Sequence, residues 1–358
     1  MKLLLTGGGT MGSVSPLLAI VQEFKKQGET LDLLWLGTKN GPERKIIEER
    51  GIKFQFIFTG RFRRYFSWRN LIAPCLIILG FFQSIFIILK FRPNLILSAG
   101  SFVSVPVVWA GWLLGIPSLI HQQDIIPGLA NKLMAPFAKK ITVSFEKSLN
   151  DFAKSKTILT GNPVREEIFK GDKKLAEQIF NLEPGLPTIL VLGGGTGAQF
   201  INQTICQIIQ ELTQFCQIIH LTGKNKFQVS SFKFQVSKRY HQYEFLTNEM
   251  ADVYVVADVV IGRAGMGTIT ELSALAKPAI LIPIPDSHQE ANARYFADKK
   301  AAVVFTQKKL TPEILLKRIK EILTDQSLLT KLGGNLYQFY QKEATQRIIQ
   351  EIRRLTEY

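Results

Sequence analysis

No C-x-x-C pair occurs in this chain. Its three cysteines, Cys75, Cys206 and Cys216, are odd in number and lack a ligand-like spacing. That argues against a disulfide framework and for a reducing compartment. No G-x-x-x-x-G-K-[ST] run is present, which argues against an ATPase. No D-x-D pair stands ready to hold a metal on a nucleotide diphosphate. Met1-Lys2 leads straight into an apolar run and a glycine turn, so no secretory signal is expected. Acids are in short supply: 29 Asp and Glu against 44 Lys and Arg give a net charge of +15 over 358 residues. The isoelectric point is about 9.7. Such a balance favours an anionic partner, whether nucleic acid, an acidic membrane or a phosphate-bearing substrate. Apolar residues make up 46%, which indicates a globular protein, and the length suits two domains with full cores.

What is present is organised around KLLLTGGGTMGSVSP, residues 2–16. Residues 3–5 read as a buried strand, Gly7, Gly8 and Gly9 as a turn, and 17–24 as a helix. Strand, glycine turn and helix together aim backbone N–H groups at a phosphate. Gly7, Gly9 and Gly12 also fit G-x-G-x-x-G, which is weak on its own. The arrangement recurs in TILVLGGGTG, residues 188–197, where Gly193 lies 186 residues beyond Gly7. The repeat predicts two similar α/β domains facing each other across a cleft. Two unrelated glycine turns are the alternative, disfavoured because both follow a strand and open a helix.

Further strands are predicted at 31–36, 53–58, 95–98, 118–121, 141–144 and 156–160, then at 188–192, 217–221, 243–245, 259–261, 279–282 and 302–305. Helices are predicted at 42–50, 105–114 and 129–137. This βαβ rhythm implies parallel sheets covered on both faces. A boundary near Gly161-Asn162-Pro163 gives a first domain of 1–160 and a second of 161–337. Residues 224–240 carry two near copies of FQVS and read as a surface excursion. Residues 334–358 read as one long amphipathic helix, expected from about 338 to pack back on the first domain.

Residues 71–89 are almost wholly apolar, interrupted only by Gln83 and Ser84. They are long enough to span a bilayer. They lie between the third and fourth strands, however, where a crossover must return to the same sheet. A crossover helix needs one apolar face, so apolarity all round leaves a second face to explain. Basic and aromatic residues alternate just before it, in RFRRYFSWR at 61–69. Together they predict a surface that lies on an anionic membrane; a fully buried helix beside a solvated basic loop is the other reading. No recognised nucleic-acid module accompanies the patch, so nucleic acid is not an expected partner.

The second strand ends Leu36-Gly37-Thr38-Lys39, without the acid that a dinucleotide ribose would want. An enzyme without a metal motif must neutralise a leaving phosphate with backbone amides, helix N-termini and arginine. Residues 263–268, RAGMGT, follow the strand 259–261 and open a helix, forming a second anion cradle. Glu271 follows one turn later. It is placed to accept both ribose hydroxyls of a nucleotide, or else is a solvated helix acid.

TGGGTMGSVSP, HQQDIIPGLANK, GNPVR, GGGTGAQFIN, RAGMGTITE and HQEANA occur in the order seen in the MurG-type glycosyltransferases. The chain resembles that family over nearly its whole length. The resemblance implies an α/β GT-B fold: two facing Rossmann-like domains with a deep inter-domain cleft. It implies inverting transfer of N-acetylglucosamine from UDP-N-acetylglucosamine to the C4 hydroxyl of undecaprenyl-diphospho-muramoylpentapeptide, without cofactor or metal. It also implies a peripheral place on the cytoplasmic face of the cell membrane, among anionic inner-leaflet phospholipids and cell-wall synthesis proteins.

By position in the matched motifs, the resemblance implies a donor site from Arg165, Gly194, Gly195, Leu246, Met266, Gly267, Thr268, Ile269, Thr270, Glu271 and Gln289. Thr10, Met11, Gly12 and Asp124 would lie near the transferred sugar. Gly8, Gly9, Gly100, Ser101, Phe102 and Ser104 would face the acceptor. The chain departs from the family pattern at Met11, usually glycine, at Ser13, usually histidine, at Gln122 and Asp124 within H-E-Q-N, and at Phe102, usually tyrosine. A serine cannot take a proton near neutral pH without a partner. Asp124 is the candidate replacement base; a residue that only hydrogen-bonds the sugar is the alternative reading. His121 ends a strand and is expected to position its neighbours. Another lipid-acceptor GT-B enzyme, such as a diacylglycerol glycosyltransferase, and a non-catalytic membrane-bound nucleotide-sugar module are the competing functions.

Overall fold

The computed structural model describes residues 1–60, 69–193, 198–223, 237–246 and 249–356. It divides into two compact units: Met1–Arg165 with Gln341–Tyr358, and Glu166–Tyr340.

In the first unit, β1 (Lys2–Thr6), β2 (Asp32–Gly37), β3 (Lys53–Phe56), β4 (Leu95–Ser98), β5 (Ser118–Gln122), β6 (Lys140–Val143) and β7 (Thr157–Leu159) form one sheet. The order is β3-β2-β1-β4-β5-β6-β7, and the neighbours pair in parallel. The interleaved helices are α1 (Ser15–Lys26), α2 (Glu43–Glu49), α3 (Arg69–Phe91), α4 (Ser104–Leu113) and α5 (Leu129–Met134). Alternation along β1 sends Leu3 and Leu5 into one core with α1, and Leu4 into the other with α3 and α4. Pro16 sits in the first turn of α1, where its missing N–H costs nothing.

The second unit repeats the plan. Its sheet contains β8 (Thr188–Leu192), β9 (Gln217–Leu221), β10 (Tyr240–Tyr243), β11 (Val259–Gly262), β12 (Ala279–Leu281) and β13 (Val303–Val304), in the order β10-β9-β8-β11-β12-β13. Its helices are α6 (Lys173–Ile179), α7 (Gln199–Cys206), α8 (Ile209–Leu212), α9 (Met250–Val256), α10 (Met266–Ala274), α11 (His288–Asp298), α12 (Pro312–Thr324) and α13 (Gln326–Tyr337). In each sheet the strand before the glycine turn is central, and the order reverses beside it, at β1/β4 and β8/β11. Ligands of open α/β sheets bind at the carboxyl ends of the strands flanking such a point.

Two expectations need correction. The strand expected at 243–245 starts three residues earlier, at Tyr240, because Tyr240 pairs with Ile218 and its buried ring closes the sheet edge. The single helix expected over 334–358 is two helices, since α13 ends at Tyr337 and α14 (Ala344–Thr356) begins afterwards. Their apolar faces serve different cores: Leu332 of α13 packs in the second unit, and Ile348, Ile349 and Ile352 of α14 pack against α1 in the first.

Helix α3 is the crossover from β3 to β4, both strands of one parallel sheet. It is not fully buried, because only 28% of its most apolar window lies inside the protein. Leu71, Ile72, Ile78, Leu79, Phe82, Phe86 and Leu89 are exposed along it, and Trp112 and Leu113 of the adjoining α4 are exposed too. The RFRRYFSW run at 61–68, the two FQVS copies except the final Ser237, and the turn residues Gly194 and Gly195 lie outside the described residues.

Candidate active site

The loops after β1, β4 and β5 meet at the carboxyl edge of the first sheet. The turn after β1 needs glycine for two separate reasons. Gly9 has φ +78°, and a Cβ there would also come within 2.9 Å of the Phe102 ring. A Cβ on Gly8 would lie 2.1 Å from Glu43 Oε1. Glu43 opens α2 and is wholly buried. Its carboxylate accepts from the Gly9 N–H at 3.1 Å and from the Thr38 N–H at 2.8 Å. The Thr38 hydroxyl donates to it as well. The Trp35 indole N–H donates to the Gly7 carbonyl at 2.9 Å. So the Gly9 amide, expected to cradle a phosphate, is held by an acid from below.

The other loops are laced to this turn. Ser101 Oγ donates to the Gly8 carbonyl at 2.8 Å, and Ser104 Oγ to the Thr6 carbonyl at 3.0 Å. Both hydroxyls, placed on the acceptor side by position in the motif, therefore serve the loops themselves. Gln123 Nε2 donates to the Gly12 and Ala99 carbonyls, at 2.9 and 3.0 Å, and so joins the two glycine loops. Gly100 and Ser101 follow with φ +88° and +118°. Thr10 and Gly12 are exposed, Met11 and Phe102 half-buried. Ser13 is turned inward: it is 7% exposed, and its Oγ lies 3.5 Å from the Thr10 carbonyl.

Asp124 follows β5 and is half-buried. Gln122 Nε2 donates to its carbonyl at 2.7 Å, and Asn131 Nδ2 in turn donates to Gln122 Oε1 at 2.6 Å. His121 is fully buried, with Nδ1 at 2.9 Å from Thr142 Oγ1 and Nε2 at 2.9 Å from Asn162 Oδ1. Burial holds its pKa down at about 4, against the smaller opposing effect of those hydrogen bonds. The ring is thus neutral near pH 7. It ties β5 to the loop Gly161-Asn162-Pro163 that leads to Arg165, which is half-buried.

In the second unit the strand β11 ends at Gly262, and α10 begins at Met266 after an extended Gly265. No side chain caps that helix start, so the amides of its first turn are not claimed by an N-cap side chain. Met266 and Ile269 are buried, so those two positions can offer a ligand only backbone. Gly267, Thr268 and Thr270 line the first turn, and Thr270 Oγ1 donates back to the Met266 carbonyl at 2.7 Å. Gln289 of α11 has its Nε2 3.8 Å from where a Gly265 Cβ would stand, which brings it to the mouth of α10. Asn292 Nδ2 donates to the Ala264 carbonyl at 3.1 Å and braces the turn. Arg263 points away, donating to the Ile282 and Pro283 carbonyls at 3.0 and 3.3 Å. Glu271 is half-buried and accepts the Tyr254 hydroxyl on Oε2 at 2.9 Å, so it is not a solvated helix acid. Leu246 follows β10 and is half-buried.

Residues 3–143 match the glycosyltransferase family 28 N-terminal domain, and residues 188–355 match the C-terminal domain of the same family. A Clostridium kluyveri protein is 37% identical over 353 residues, which cover 97% of this chain and 98% of its own. The chain belongs to glycosyltransferase family 28. That relative is named UDP-N-acetylglucosamine--N-acetylmuramyl-(pentapeptide) pyrophosphoryl-undecaprenol N-acetylglucosamine transferase. A Legionella pneumophila protein of the same name is 37% identical over 90% of this chain and 89% of its own. The crystal structure of Acinetobacter baumannii MurG superimposes with a TM-score of 0.73 at 26% identity, covering 99% of both chains. A UDP-GlcNAc 2-epimerase from Neisseria meningitidis, at 15% identity and TM-score 0.73, shares the fold. This family 28 chain therefore has the two-domain GT-B fold.

Three positioning side chains of this family 28 site escaped the sequence. Glu43 lies in the helix predicted at 42–50 and Gln123 in the motif HQQD, and neither they nor Tyr254 carried a site role by pattern. Their signal is spatial: Glu43 reaches Gly9 34 residues away, Gln123 reaches Gly12 111 residues away, and Tyr254 reaches Glu271 17 residues away. Among the described residues, no group of three His, Cys, Asp or Glu side chains is placed to hold a metal.

Proposed function

We propose that this chain transfers N-acetylglucosamine from UDP-N-acetylglucosamine to the C4 hydroxyl of undecaprenyl-diphospho-muramoylpentapeptide, with inversion at the anomeric carbon. One observation carries the reading: 37% identity across 97% of the chain with a transferase named for that donor and that acceptor. In the reaction the acceptor oxygen attacks the anomeric carbon, the bond from that carbon to the diphosphate oxygen breaks, and its electron pair leaves with UDP. The amide-rich start of α10 is suited to the departing negative charge. Glu271 is assigned to the ribose hydroxyls and Gln289 to a sugar hydroxyl. Gly194, Gly195, Arg165 and Leu246 complete the donor side by position in the family motifs. The glycine loops around Gly9 and Gly100 are assigned to the acceptor.

The acceptor proton needs a base, and Asp124 is assigned that role. It stands in the loop after β5, partly shielded from water, and its backbone is fixed by Gln122. Ser13, turned inward beneath the first glycine loop, is poorly placed for it. The enzyme is assigned to a membrane surface on the cytoplasmic side, with the exposed face of α3 in contact with lipid. The test is transfer from labelled UDP-N-acetylglucosamine to the lipid-linked muramoyl acceptor, with diacylglycerol alongside. Labelled product from the muramoyl acceptor alone is expected. Product from diacylglycerol alone, or none from either, overturns the reading.

A further inference from the structure

We propose that Tyr254 is a positioning residue that makes the donor site selective for ribose over 2′-deoxyribose, by fixing the Glu271 carboxylate. The inference rests on the assignment of Glu271 to the ribose. Tyr254 lies on α9 and is 1% exposed, so its ring is locked by packing. A buried phenol hydroxyl requires a hydrogen-bond partner. Here it donates to Glu271 Oε2 at 2.9 Å, from one helix to the next. The two helices are also cross-braced. Lys277, just past α10, donates to the Val255 and Ala257 carbonyls at the end of α9, at 3.0 and 2.9 Å.

Glutamate has three side-chain torsions, and ordering them on binding costs free energy. A tyrosine bond already made in the folded protein removes part of that cost. An ionised carboxylate offers about four lone-pair sites. Tyr254 occupies one of them on Oε2, and that bond sets the orientation of the carboxylate. A carboxylate aimed in this way rewards a diol more than a single hydroxyl.

The test is calorimetric titration of UDP and of 2′-deoxy-UDP into the full-length wild type, Tyr254→Phe, Glu271→Ala and the double variant. Tyr254→Phe keeps the ring and loses only the hydroxyl. It is expected to weaken UDP about tenfold, the scale of one hydrogen bond to a charged group, while 2′-deoxy-UDP changes by less than about twofold. The double variant should bind UDP no more weakly than Glu271→Ala alone. Equal loss of both ligands in Tyr254→Phe means a merely structural role and overturns the inference. So does a Tyr254→Phe protein that keeps the wild-type preference while Glu271→Ala has lost it. Unchanged UDP binding in Glu271→Ala instead removes the assignment of Glu271 on which the inference stands.

Discussion

Glu43 and Glu271 each lie within the first turn or two of a helix that follows a glycine turn, yet they do opposite work. Glu43 is wholly buried and holds the backbone of the first glycine loop. Glu271 is half-buried and anchored through Tyr254. Their substitutions should separate cleanly. Glu43→Ala leaves the Gly9 and Thr38 donors without their acceptor, so it should cost roughly 2–4 kcal/mol of stability, measured by urea unfolding. Glu271→Ala should leave stability closer to wild type but weaken UDP by about 1.5–3 kcal/mol in calorimetry. Asp124→Asn keeps the side-chain shape and removes the proton acceptor. Steady-state kinetics should show kcat reduced about 100-fold or more with UDP affinity little changed. Near wild-type kcat at saturating substrates would reject Asp124 as the base.

At the scale of elements, α3 is the unusual one. A crossover helix buries one face on its sheet, and here Ile87 and Ile88 do that while Ile78, Phe82 and Phe86 face outward. Water-facing apolar side chains one and two turns apart are unfavourable unless something apolar covers them. Replacing Phe82, Phe86 and Trp112 by Ser should lower binding to vesicles of mixed neutral and anionic lipid by about tenfold or more, read by sedimentation. Replacing Arg61, Arg63 and Arg64 by Ala should weaken the anionic component and its salt dependence. Equal binding of the serine variant and the wild type would remove α3 from the lipid contact.

At the scale of the whole molecule, each unit buries one neutral histidine in its sheet. His121 ties β5 to Asn162, and His220 of β9 lies 2.8 Å from the Tyr240 hydroxyl and 3.0 Å from Asn202 Oδ1. Burial lowers their pKa values to about 4 and about 3. Above the unfolded histidine value of about 6.5 neither matters, because both states are neutral. Below it the unfolded chain takes up protons that the folded chain refuses, so stability falls as pH falls. Each histidine should cost about 2 kcal/mol by pH 5. Thermal melts between pH 7.5 and 5 should show this, and the His121→Asn, His220→Asn double variant should show a flatter slope. An unchanged slope would rule out the histidines as its source.

The sequence by itself determined the architecture. Apolar runs bounded by glycine turns carry strand identity locally, so β4, β8 and β9 lie where the residues place them, and the repeat of GGGT announces two sheets. It also marked the turn at Gly265 and the acid at Glu271, since a helix start is a local event. Only the tertiary structure decided what those residues touch. The use of Ser101 and Ser104 to lace loops together and the grip of Glu43 on Gly9 are contacts between residues far apart in the chain. Nothing in the local pattern encodes them. The split between α13 and α14 has the same origin: Leu332 of α13 is buried in one core, and Ile348, Ile349 and Ile352 of α14 in another. Periodicity records that a face is apolar, and packing alone decides which core receives it.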